Sequence, residues 1–172
     1  MSLTKIIESI LFSSPRPVSL KLLYKKLPEF PPEEIGNALQ ELLREYNELQ
    51  RSIEIVEVAG GYQMRTRIDY REWAKRFVKE KDVGLTKSVL ETLSIVAYKQ
   101  PVAKKEIDTI RGVDSTRAVK QLLERRLIEI SGRDGDAGKR LAFRTTDKFL
   151  ETYGLNSLED LPTLKEIELL EK

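Results

Sequence analysis

The first apolar positions, Leu3, Ile6, Ile7, Ile10 and Leu11, recur at three- and four-residue steps and stop before Pro15 and Pro17. Steps of that size line one face of a helix, and a proline biases the residue before it away from helical geometry. A second, short helix is predicted behind Ser19 as N-cap, with Leu20, Leu23 and Leu27 as its apolar residues. Pro28, Pro31 and Pro32 end it and open the next, because proline is tolerated in a first helical turn. Ile35, Ala38, Leu39, Leu42, Leu43, Tyr46 and Leu49 then give a third helix one continuous apolar face. The period next becomes that of strands: Ile53 to Val58, a turn at Ala59-Gly60-Gly61, then Tyr62, Met64 and Ile68 alternating with polar residues. Three helices followed by a hairpin is the order of a winged helix. A fourth helix from Asp69 to about Lys79, with Trp73 and Phe77 on one face, is predicted to close this half.

The second half repeats the order. Ser88 with Glu91 three residues on is a capping-box pattern opening a helix through about Tyr98. Val89, Leu90, Leu93, Val96 and Ala97 supply its inward face. Pro101-Val102 breaks this helix as Pro17-Val18 breaks the first. A short helix from about Lys104 ends at Gly112, a C-cap, and Asp114 or Ser115 caps a third helix with Ala118, Val119, Leu122 and Leu123 inward. A strand Leu127 to Ser131, a loop Gly132 to Arg140, a strand Leu141 to Thr145 and a short helix with Phe149 and Tyr153 follow. The Pro-Val pairs lie 84 positions apart and the Ile-Glu-Ile runs at Ile53 and Ile128 lie 75 apart, so the second copy is the shorter one. A duplicated fold is the economical reading. The expected class is mainly α with small β-hairpins (α+β), as two tandem winged-helix domains. Their expected bounds are 1–82 and 83–154, with a tail at 155–172.

Composition narrows the chemistry. Lys plus Arg is 30 against 28 Asp plus Glu in 172 residues, a net charge of +2, which argues against a bulk-basic nucleic-acid coat. There is no Cys and no His, so disulfides, Cys/His zinc sites and Ser-His or Cys-His nucleophiles are excluded. No apolar run approaches the roughly 18 residues of a membrane helix, and no signal-peptide pattern precedes the first helix. The loop GRDGDAGKR fails as a phosphate loop. Five residues separate Gly132 from Gly138, Arg140 stands where Ser/Thr would hold magnesium, and the loop joins two strands. Asp134-Gly135-Asp136 lacks the later ligands of a calcium loop. Many carboxylates are present, but no spacing singles out a hydrolytic pair. The expectation is a cytoplasmic protein that is not an enzyme, with no catalytic residue, cofactor, metal or membrane partner.

Winged helices often read DNA with the third helix. In the first half that helix carries Glu33, Glu34, Glu41, Glu45 and Glu48 against Arg44, a net −4 that phosphates repel. The equivalent helix of the second half is mildly basic. There Arg117 and Lys120, with Arg133, Lys139 and Arg140 on the wing, are the alternative DNA contacts of a winged-helix transcription regulator. Acids lie beside these bases throughout, which also describes a solvated face. Arg65 and Arg67 share a hairpin with Glu54 and Glu57, so cross-strand pairing accounts for them.

Apolar excess points to partners. Ile95 and Tyr98 extend the apolar surface of their helix beyond one inward face. A helix apolar nearly all round is either deeply buried or covered by a partner. Phe12, beside the main stripe of the opening helix, poses the same question.

The second half resembles a known family. SIVAYKQPV (Ser94 to Val102), IRGVDS (Ile110 to Ser115), LLERRLIEISGR (Leu122 to Arg133) and FRTTDKFLETYGLNSLEDLP (Phe143 to Pro162) are similar to segregation and condensation protein B, ScpB. IIESILFSSPRPVS (Ile6 to Ser19) and GGYQMRT (Gly60 to Thr66) agree more loosely. The resemblance implies a non-catalytic adaptor of the bacterial Smc condensin complex, active in chromosome condensation and segregation. Its members form homodimers of double winged-helix chains that bind the kleisin ScpA and, through it, Smc. Joined to the residue pattern, it makes Ile6, Ile10 and Phe12 the candidate dimer interface. Ile95 and Tyr98, with Lys99 at the rim, become the candidate kleisin interface.

Overall fold

The structure is a computed structural model that describes residues 2–77, 84–134, 140–163 and 166. The chain divides into two compact units, Met1–Lys81 with Gly154–Lys172, and Asp82–Tyr153.

In the first unit, α1 (Leu3–Ser13), α2 (Leu20–Lys26) and α3 (Pro32–Glu48) precede a hairpin of β1 (Ile53–Val58) and β2 (Gly61–Thr66). Ser19 caps α2 by accepting the Leu22 N–H, and Pro32 sits in the first turn of α3. Ile7 and Leu11 of α1, Leu23 of α2 and Ile35, Leu39 and Leu42 of α3 meet in a core closed from the hairpin side by Ile55 and Tyr62. The Tyr46 hydroxyl of α3 donates to Glu8 Oε1 of α1 at 2.7 Å. Burial first, and then this bond to a carboxylate, pushes the Tyr46 phenol up to about 12.

The end of this half differs from the expected one. Arg67 donates to the carbonyls of Arg51 (2.8 Å) and Tyr46 (3.3 Å), and lies 3.7 Å from Glu54. Pinned there, the chain leaves the sheet, so β2 stops at Thr66 and Ile68 enters a 3-10 turn (Ile68–Tyr70) instead of continuing the alternation. The fourth helix is only α4 (Arg71–Lys75). Trp73 and Phe77 are both exposed, with the Arg76 guanidinium 4.2 Å above the Trp73 ring.

In the second unit, α5 (Lys87–Lys99), β3 (Val102–Ala103), α6 (Lys104–Arg111) and α7 (Thr116–Glu124) precede β4 (Ile128–Asp134), β5 (Arg140–Thr145) and α8 (Asp147–Tyr153). The strand order is β3-β5-β4, all antiparallel. Val89, Leu93 and Val96 of α5 are buried, as are Ile107, Leu122, Ile128 and Phe143 of the elements that follow. Helix α6 ends where expected, on Gly112 with φ 70°.

Three local expectations are corrected. The N-cap of α5 is Thr86, and Ser88 and Glu91 do not form a capping box. They accept instead from Arg111 Nη2, at 2.8 and 3.4 Å, and that side chain is only 7% exposed. Leu90 faces outward while Thr92 is fully buried, its hydroxyl bonded to the Ser88 carbonyl. A hydroxyl satisfied within its own helix can replace an apolar residue inside. The hairpin also runs further than predicted, pairing to Asp134↔Arg140, because a bulge at Ser131 shifts the register and Gly132 (φ 150°) accommodates it. Residues 135–139, which hold most of the discarded phosphate loop, lie outside the described residues.

Candidate partner-binding surfaces

Helix α1 does not present its three candidates together. Ile6 and Ile10 are half-buried against the first unit's core. Phe12 follows Ile10 by two positions, roughly 200° around the helix, and is 76% exposed. Further exposed apolar side chains of this unit, Ile68, Tyr70, Trp73 and Phe77, cluster in sequence at its short fourth helix. Periodicity placed Trp73 and Phe77 on one face of this helix, but it reports which residues share a face and not whether anything covers that face.

On α5, Ile95 is half-buried, Tyr98 is 45% exposed and Lys99 is exposed. Spacings of three and four place them side by side. On α8, Phe149 is buried and Tyr153 packs on it with ring centroids 5.0 Å apart, so Phe149 belongs to the second unit's own core.

The alternative nucleic-acid candidates fall on α7 and on the wing hairpin. Arg117 and Lys120 are exposed on α7, and Lys120 lies 3.9 Å from Glu124. Arg133 and Arg140 fall in β4 and β5, and Lys139 lies outside the described residues.

The strongest polar cluster was not singled out in the sequence. Lys104 Nζ donates to Asp108 Oδ2 at 2.7 Å and to Asp114 Oδ1 at 2.6 Å. Asp108 Oδ1 accepts the backbone N–H and the hydroxyl of buried Ser115, while Asp114 accepts the N–H and hydroxyl of Thr116. Hydrogen bonds from Lys104, then from Ser115, hold the Asp108 carboxyl down to about 2, and the two carboxylates raise Lys104. The open groove beside it, about 370 Å³, is lined by Ala103, Lys104, Lys105, Asp108, Leu141 and Phe143. The charges of Lys104, Asp108 and Asp114 are spent on one another. The cluster braces the turn from α6 into α7, and the i,i+4 spacing of Lys104 and Asp108 was its signal. Among the described residues no group of acids is placed to hold a metal ion. No described helix is long and apolar enough to cross a membrane.

A family model described as segregation and condensation complex subunit ScpB matches residues 5–164. The chain belongs to that family. Segregation and condensation protein B of Syntrophotalea carbinolica is 43% identical over 172 residues, covering 100% of this chain and 87% of the relative. That of Clostridioides difficile is 41% identical over 162 residues, covering 93% and 90%. Among solved structures, ScpB from Mycobacterium tuberculosis matches at 31% identity and a TM-score of 0.42, over 89% of this chain and 95% of that one. A dimer of an ScpB N-terminal domain complexed with ScpA peptide matches at 25% identity and a TM-score of 0.39, over 44% of this chain and 93% of that one. The α+β class expected from the hydrophobic pattern and the family expected from the quoted strings both hold.

Proposed function

We infer that the chain is a non-catalytic homodimeric adaptor of a bacterial Smc–kleisin complex. It binds the kleisin ScpA and, through it, serves Smc in chromosome condensation and segregation, in the cytoplasm at the nucleoid. The observation that carries this reading is the family match over residues 5–164. The absence of Cys and His agrees with a subunit that does no chemistry, and the −4 charge of Pro32–Leu49 agrees with protein contacts in place of DNA. Aromatic and aliphatic anchors supply most of the energy at protein interfaces, which selects Phe12 for the dimer and Tyr98 with Ile95 for the kleisin, with Lys99 at the rim.

Calorimetric titration of the full chain with purified kleisin tests the reading. Tyr98→Ala is expected to weaken binding at least about tenfold, roughly 1.4 kcal/mol, with melting unchanged. Phe12→Asp is expected to halve the mass that light scattering gives for the wild-type dimer. Kleisin that binds neither chain, or a site-specific DNA complex that survives physiological salt, overturns the adaptor reading.

A further inference from the structure

The first unit's hairpin turns on two residues, Ala59 (φ 50°) and Gly60 (φ 67°), both in the left-handed region that a tight hairpin turn requires. Central amides of such a turn point away from the sheet and ordinarily bond water. Here both are taken by the chain's own C-terminal stretch. Ala59 N–H donates to the Leu155 carbonyl at 2.9 Å, and Gly60 N–H donates to Asn156 Oδ1 at 2.9 Å, across 96 positions of sequence.

The stretch that supplies these acceptors is itself shaped for the task. Asp160 Oδ2 accepts the N–H groups of Asn156 (2.7 Å) and Ser157 (3.0 Å), and Ser157 Oγ accepts that of Glu159 (3.2 Å). This reciprocal capping sets Asn156 at the head of a 3-10 turn (Leu158–Asp160). Gly154 (φ 71°) lets the chain pass close to the hairpin, since a Cβ there would meet Arg65 Nη1 at 3.2 Å and the backbone is one that side chains rarely adopt. Leu155, Asn156 and Leu161 are half-buried.

We propose that residues 154–161 are a detachable strap with which the first unit caps its hairpin turn after the chain has passed through the second unit. The strap belongs to the first unit, which takes up the chain again at Gly154. Among the described residues, the Leu155 carbonyl and Asn156 Oδ1 supply the strap's bonds to the turn, both replaceable by water and each worth about 1 kcal/mol net. Attached and released states therefore exchange without unfolding the first unit's core.

Residue-resolved amide exchange on the full chain tests this. In the wild type, Ala59 and Gly60 exchange at least about fivefold slower than unprotected peptide. Asn156→Ala returns Gly60 to near the unprotected rate. Asp160→Ala, which undoes the strap's own cap, speeds both amides, and Asp160→Asn, which keeps an oxygen acceptor, restores most of the protection. Core amides such as Ile55 and Leu39 keep wild-type rates in all three variants, which separates strap release from misfolding. Unprotected rates at Ala59 and Gly60 in the wild type overturn the proposal. So does a Gly60 rate unmoved by Asn156→Ala, or core amides that speed up together with the turn.

Discussion

The corner that leads into the third helix is made of prolines in the first unit and of charges in the second. Pro28, Pro31 and Pro32 bracket the turn between α2 and α3, fixing φ in advance and lowering the entropy lost on folding. Between α6 and α7 the same bend is tied by Lys104, Asp108, Asp114 and Ser115. Other parts of the repeat are alike. Val18 bridges to Tyr62 on the second strand of its hairpin, and Val102 pairs with Phe143 on the second strand of its own; all four are buried. One fold thus keeps its apolar contacts and lets the chemistry of its corners vary. A proline corner is insensitive to pH, whereas a carboxylate corner carries a proton-linked contribution.

Core truncation is expected to have the largest effect and to treat the copies equally. Leu39 and Leu122 are each fully buried on the third helix of their own unit. Leu39→Ala and Leu122→Ala should each cost about 2–5 kcal/mol, read by chemical denaturation with probes in each unit. A cost confined to one of the two breaks the equivalence of the copies.

Loss of the charged corner comes next. Asp108→Ala leaves the backbone N–H of fully buried Ser115 without its acceptor, at about 1–3 kcal/mol. The pH dependence has a definite sign. The folded Asp108 carboxyl lies at about 2, below its ordinary 3.8. Its contribution is complete above about pH 4 and is lost as pH falls toward 2. Asp108→Ala should therefore flatten the acid limb of a stability curve between those values, and a curve of unchanged slope refutes the assignment. Tyr46 in the first unit acts at the other extreme. Its phenol is raised from 10.0 to about 12, so its contribution is present below pH 10 and fades as pH rises toward 12.

Helix caps give the smallest difference. Ser19→Ala removes the bond that Ser19 accepts from Leu22 and should cost about 1 kcal/mol. Thr86 makes no side-chain cap bond, so Thr86→Ala should stay within about 0.5 kcal/mol. Equal thermal shifts for the two would remove this contrast between the units.

Much of this was written in local pattern. The three- and four-residue steps, Ser19, Pro32 and Gly112 set helix positions to within a residue or two, because each acts through its own backbone and its immediate neighbours. Pro17-Val18 and Pro101-Val102 marked the repeat for the same reason. Where a long-range contact decided, local pattern misled. Ser88 and Glu91 look like a cap but serve Arg111, some twenty residues away. Leu90 and Thr92 exchanged places because a buried hydroxyl can bond to its own helix. Ile6 and Ile10 share one apolar stripe with Ile7, and only the packing of α3 shows how far that stripe is covered while Phe12 stands clear. Nothing in the order of residues tells that Asn156 meets Gly60, since their spacing of 96 carries no period and the contact exists only once the chain has folded back. Sequence by itself determined the elements and their order, as these rest on backbone geometry and short-range periodicity. Tertiary structure decided which apolar faces stay open and which polar groups find each other, because burial and hydrogen bonding belong to the assembled fold.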